Sequence, residues 1–190
     1  MSCGRDGAGH CLRWLSVLLF VAGCSHTPPS SEVSTFAPVR VSPDGYLRYH
    51  VPGGWFDATG NPGSPRAAVW LVRRDYAASI SVNRIELSPE ARQEFSGGRL
   101  LRLGQLTMQL MLSSRSAVVV RAPVLVRMDG KEYCLFEVEE SSTHDLLRSV
   151  IVDTGEKSYE VTALVAGGEA AAMRDEVLAA HRSFVRRLLW

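Results

Sequence analysis

No run of apolar residues in this 190-residue chain reaches the roughly 18 that would carry a helix across a bilayer. Neither sign of charge is in excess: 21 Lys and Arg stand against 20 Asp and Glu, which excludes a broadly basic nucleic-acid binder and an acidic solvating tail. Histidine is sparse and scattered (His10, His26, His50, His144, His181), and no pair has the i, i+3 or i, i+4 spacing that puts two ligands on one helical face. No metal is expected. A Gly-x-Ser-x-Gly elbow is missing, and Gly53-Gly54, Gly97-Gly98 and Gly167-Gly168 match neither a P-loop nor a dinucleotide fingerprint. They read as turns, and no cofactor is expected. There is no internal repeat, and the length suits one domain with a tail.

What is present begins with an address. Residues 1–23 have a polar start with Arg5 and Arg13, then an apolar stretch from Trp14 to Ala22, about as long as the core of a secretory signal. The segment Val21-Ala22-Gly23-Cys24 resembles the bacterial lipobox, in which small residues precede a cysteine that is acylated before the peptidase cuts between Gly23 and Cys24. The residue types fit that chemistry: a thiolate is the nucleophile, and Ala and Gly leave room at the scissile bond. The resemblance implies a lipid anchor on Cys24, each buried methylene contributing about 0.8 kcal/mol, and Ser25 in the next position implies an outer membrane, facing the periplasm. Cys3 and Cys11 leave with the signal, so Cys134 is the one free thiol of the mature chain. It shares parity with Phe136 and Val138, and so is expected in a core as a small hydrophobe.

Residues 24–44 are rich in Ser, Thr and Pro without apolar periodicity. They read as a flexible tether that reaches some tens of ångströms at about 3 Å per residue. The domain is expected over 45–190. Tyr46–Val51, Ala67–Arg74 and Ala78–Leu87 read as strands. Ser88 then serves as an N-cap with Pro89 at the first helical position, and a helix follows, broken near Gly97-Gly98 and carrying Leu103, Leu106 and Leu110 on one face. Ala117–Met128, Tyr133–Glu140, Leu146–Asp153 and Tyr159–Ala166 read as four strands, the first two joined at Asp129-Gly130. Pro123 requires an edge position or a bulge. From Glu169 the chain is helical, with Met173, Val177, Phe184 and Leu188 on one face and His181 assigned to the helix surface.

This order, and the segment Tyr46-Leu47-Arg48-Tyr49-His50-Val51-Pro52-Gly53-Gly54-Trp55 with its strand and Pro-x-Gly-Trp type turn, resembles the PsbP/Mog1-like family. The late Ser183-Phe184 is similar too. The resemblance implies an α+β fold, an antiparallel sheet of six or seven strands against two main helices, and it carries over no catalytic residue. The expected function is a non-enzymatic lipoprotein of the cell envelope that binds a protein or envelope component. The alternatives are a small-molecule carrier and a tethered hydrolase whose carboxylates converge only in the fold.

Charge is unevenly placed. From Phe95 to Met128 there are five arginines (Arg99, Arg102, Arg115, Arg121, Arg127) and no acid, whereas Asp129 to Asp145 holds six acids and one lysine. Two readings follow. Arg121 and Arg127 face Glu132, Glu137 or Glu139 across a hairpin, each pair contributing a few tenths of a kcal/mol, or Arg99, Arg102 and Arg115 form a basic face for anionic lipid or an acidic partner. Trp55, after the glycine pair, is either an exposed aromatic of that binding surface or a packing residue that closes the domain. Glu137, Glu139, Glu140 and Asp145 are expected on a solvated strand face.

Overall fold

The computed structural model describes residues 38–62, 67–88, 90–91 and 99–190. The signal segment, Gly23, Cys24, most of the tether and the Gly97-Gly98 break lie outside the described residues. Two short strands, β1 (Arg40–Val41) and β2 (Arg48–Tyr49), pair with each other. The fold thus takes in β1, within the stretch read as tether, and Ser42 behind it is buried and donates through Oγ to Asp44.

The main sheet has seven antiparallel strands: β3 (Trp55–Asp57), β4 (Ala67–Arg73), β5 (Ala78–Ile85), β6 (Ala117–Met128), β7 (Lys131–Glu140), β8 (Leu146–Asp153) and β9 (Ser158–Val165). Their order is β3-β4-β5-β9-β8-β7-β6. Tyr46–Val51 was expected as one strand of this sheet. Only Arg48–Tyr49 is extended and paired, because Pro52-Gly53-Gly54 turns the chain before it can reach the sheet, and Trp55 opens β3 instead. Asp129 and Gly130 make the β6–β7 turn with φ of 50° and 79°, the left-handed pair that a two-residue hairpin requires. Pro123 has no N–H to give to a ladder. Accordingly β6 is an edge strand, and its register with β7 shifts between Arg121 and Val124.

Two long helices, α1 (Arg99–Ser114) and α2 (Ala171–Arg187), cover opposite faces. Ser88 caps the helical turn at 90–91, its Oγ accepting the Ala91 N–H at 3.2 Å. Under α2 lie Val69, Leu71, Ile80, Val82, Val150, Val161 and Ala163, closed by Val177, Phe184, Val185 and Leu188. Side chains of this size each contribute about 1.5–3 kcal/mol when fully buried, and more than a dozen do so here. Leu103 of α1 meets Cys134, Phe136, Val138, Leu147 and Ile151 on the other side. Cys134 is fully buried as its parity implies, and burial pushes its thiol up to about 11. The helix comes close because residue 104 is glycine: a methyl there would collide with Cys134 Sγ. Since α1 packs on β6, β7 and β8, the same face over β9 and β5 is polar, with Ser81, Asn83, Glu160 and Thr162 in register. Glu160 accepts from Ser149 Oγ at 2.9 Å and Thr162 Oγ1 at 3.1 Å, and burial raises its carboxyl pKa above the ordinary value.

Candidate ligand cleft

The residues singled out from the sequence do not come together. Arg99 opens α1 and Arg115 follows its end, a separation of about 24 Å along a helix rising 1.5 Å per residue. Arg99 Nε is 3.2 Å from Asp153 and Arg115 Nη1 is 3.9 Å from Glu140, while Arg102 is exposed. Trp55, a candidate for the binding surface, takes the packing alternative: it is 6% exposed and belongs to the core on the α2 side of the sheet. The glycine turn before it sets the chain into β3, where its pairing with Arg73 of β4 directs the indole inward. The hairpin reading of the charges fits the register: Arg121 faces Glu137, and Arg127 faces Glu132.

A different constellation is built where three strands run side by side. Arg121 of β6, Glu137 of β7 and Arg148 of β8 are direct register partners, so all three side chains rise from the same face, the one crossed by α2. Arg148 Nε is 2.8 Å from one Glu137 oxygen, and Arg121 Nε is 3.7 Å from the other. Glu137 was expected in solvent. It is buried, because alternation exposes a strand face only when nothing lies on it, and here α2 does. His181 was expected on the helix surface and is also buried, only 1% exposed. It stands four residues after Val177 and so shares the core stripe. Its Nε2 lies 3.1 Å from the Val161 carbonyl. Burial, followed by the charge of Arg148, brings its pKa down to about 4, so the ring is neutral and donates this bond.

Between α2 and strands β6–β8 these side chains leave a cleft of about 240 Å³. Arg121, Arg148 and Arg182 supply its charge, Val126, Met128, Leu135, Val150 and Val185 its apolar walls, and His181 reaches in from the helix. One end is pinned by Arg186, which donates from Nε and Nη2 to the two Asp129 oxygens at 2.8 and 2.7 Å and ties α2 to the β6–β7 turn. Two guanidinium groups, those of Arg148 and Arg121, face one buried carboxylate, and Arg182 adds a third along the same cleft. Arg148 is 9% exposed and sits in β8, the strand whose first seven residues are all buried. Burial pulls its pKa below the ordinary arginine value, opposed by Glu137. A buried ion pair is on average no more stabilising than a well-packed apolar pair of the same volume, so stability alone does not account for this charge beneath α2, and it points to use. The chemistry available is recognition of an anion. Cys134 lies on the opposite face, and neutral His181 holds its proton in a backbone bond.

Sequence signal for the cleft existed but was split. Glu137 and Arg148 are eleven residues apart in adjacent strands, and only the register of two hairpins brings them to Arg121. Arg182 follows a residue four after Val177, which places it at the border of the core stripe, where a long side chain reaches back over the sheet.

No protein-family model matches the chain, and no curated protein matches it. Solved structures do. The Ran-binding protein Mog1p of Saccharomyces cerevisiae aligns over 80% of this chain and 94% of its own, at 15% identity and a TM-score of 0.50. A protein from Bacteroides thetaiotaomicron aligns over 81% of this chain at 13% identity and a TM-score of 0.50, and the chain spans about half of its length, 48%. The cyanobacterial PsbP of Synechocystis covers 80% of this chain and 91% of its own at 15% identity, with a TM-score of 0.47. Identity this low speaks for architecture alone. The chain has the PsbP/Mog1-like α+β fold, as its opening strand-and-turn segment implied.

Proposed function

We propose that the protein is a non-enzymatic binding module of the bacterial cell envelope, held to a membrane by acyl chains on Cys24 and presenting the α2 cleft to an anionic group of a protein or envelope component. The cleft is the observation that carries this reading: three arginines line it over an apolar floor, two of them beside the buried Glu137. The lipobox pattern at Val21-Ala22-Gly23-Cys24 supports the tether. The outer membrane is the expected location, from Ser25.

The test is made in growing cells fed an alkyne-bearing fatty acid, with wild type, Cys24→Ser, and a photocrosslinking residue in place of Arg182. Wild type is expected to take up the label and Cys24→Ser to lose it, with a discrete crosslinked species from position 182 that disappears when Arg148 is replaced by Met. Unlabelled wild type overturns the anchor, and crosslinks unaffected by Arg148→Met overturn the cleft as the binding surface.

A further inference from the structure

The cleft has two chemistries in one small volume, and together they define its occupant. Its charged side is a set of guanidinium groups, forks suited to the two oxygens of a carboxylate. Glu137 engages Nε of Arg148 and lies 3.7 Å from Nε of Arg121, and Arg182 lines the same cleft, so cations outnumber carboxylates there and the cleft favours an anion. Arg148 is nine-tenths buried and lines the cleft, so that anion would be bound largely out of water, where such contacts are strong. The remaining wall is hydrocarbon from Val126, Met128, Leu135, Val150 and Val185. A fully hydrated inorganic anion has nothing to gain from that wall, and a neutral hydrocarbon leaves the arginines unanswered. The volume, about 240 Å³, lies below the roughly 300–1,000 Å³ of sites for drug-sized ligands.

We infer that the cleft binds a small amphipathic carboxylate, a carboxylate carried on a short unbranched or aryl hydrocarbon body, with the charged end on Arg121, Arg148 and Arg182 and the body on the valine, methionine and leucine floor. The inference rests on the binding-module reading above and gives that module its ligand class. Within this class the affinity rises about fourfold with each methylene, which is the burial of one such group converted to a ratio, and stops rising once the cleft is full.

The probe is [1-¹³C]hexanoate, titrated into the full chain in zwitterionic nanodiscs and read by the carboxyl carbon resonance, with acetate and hexan-1-ol as competitors. Saturable binding of hexanoate is expected, with acetate at least tenfold weaker and hexanol unable to displace it. Arg148→Met should abolish binding. Because that change leaves Glu137 buried without its partner, Arg182→Gln is measured beside it: this arginine is exposed and outside the ion pair, so the fold is kept and affinity falls about tenfold. Equal affinity for acetate and hexanoate, displacement by hexanol, or an Arg182→Gln variant that binds as wild type overturns the proposal. So does displacement of hexanoate when phosphatidylglycerol is added to the nanodisc, which assigns the site to a lipid headgroup. The two readings fail separately. If hexanoate does not bind while Arg148-dependent crosslinks from position 182 persist in cells, the ligand class is wrong and the module stands; if hexanoate binds and wild type carries no acyl label, the ligand stands and the anchor is wrong.

Discussion

Lowering the pH from 7.5 to 4.5 should destabilise this fold through one imidazole. His181 is 1% exposed, lies under α2 and gives its Nε2 proton to the Val161 carbonyl. A second proton would put a cation where Arg148 already is, with Arg121 and Arg182 along the same cleft and the nearby carboxylate, Glu137, already held by Arg148. Its pKa accordingly falls from 6.5 to about 4. The folded state holds the neutral ring, and the unfolded chain takes up a proton as pH drops through 6.5. The unfolded state therefore binds more protons, and stability rises with pH. The contribution is fully present above pH 6.5 and is lost as pH falls towards 4. At 1.36 kcal/mol per pKa unit the whole effect is about 3 kcal/mol, and most of it is spent by pH 4.5. Urea unfolding at pH 7.5, 6.0 and 4.5 measures it, with His181→Gln and His181→Leu subtracting the carboxylates that titrate in the same range. Wild type should lose about 2–3 kcal/mol more than either variant between the extremes. Equal pH slopes in all three would refute the reasoning, because they would mean that the imidazole is solvated in its native place.

Gly104→Ala should destabilise although alanine is the better helix former by about 1 kcal/mol, since its methyl meets Cys134 Sγ; a net loss of about 1–3 kcal/mol in urea unfolding, relieved by Cys134→Ala in a double-mutant cycle, is the expected outcome. Cys134 itself, fully buried with its pKa near 11, should react with a thiol reagent at pH 7.5 only as fast as the protein unfolds. Glu160→Gln keeps acceptor contacts to Ser149 and Thr162 and removes a carboxyl whose folded pKa is raised. A raised carboxyl pKa adds stability at low pH that is lost as pH rises, so the variant should be more stable than wild type at pH 8 and lose that advantage at pH 4, as read by denaturant midpoints.

The architecture was legible because its signals are local. The short apolar run Leu146–Asp153, the Asp129-Gly130 turn, Pro123 as the mark of an edge and the 3.6-residue stripe of the last helix each depend on a few neighbouring residues, and the structure has each in that place. The misplacements share one cause, burial imposed by a partner distant in sequence. Alternation shows which residues share a face, but only the second helix decides whether that face is wet, and so Glu137 passed for a solvated acid. His181 was assigned by its polarity although Val177 and Phe184 bracket it at helical spacing, a case in which the period was the better guide. The glycines beside Trp55 leave both an exposed and a packed position open to it, and its inward direction comes from pairing with β4. The basic segment of the sequence was real as a count but not as a surface: its arginines divide between the two ends of α1 and the edge strand, and the two regions have different neighbours.

That division explains why the cleft forms on the α2 side. Arg121 lies on the edge strand β6, and the bulged register around Pro123 keeps it opposite Glu137 although neighbouring residues have slipped. Glu137 is held in turn by Arg148 of the next strand, so the position of the outermost arginine is fixed from the inner strand outward. From above, α2 supplies Arg182 one residue after a buried histidine, and Arg186 clamps the end of the same helix to the β6–β7 turn. Losing the clamp, as in Arg186→Gln, should therefore loosen the wall that carries Arg182 and weaken hexanoate binding while Arg148 and Glu137 remain paired. An unchanged affinity in that variant would mean that the cleft is shaped by the sheet alone.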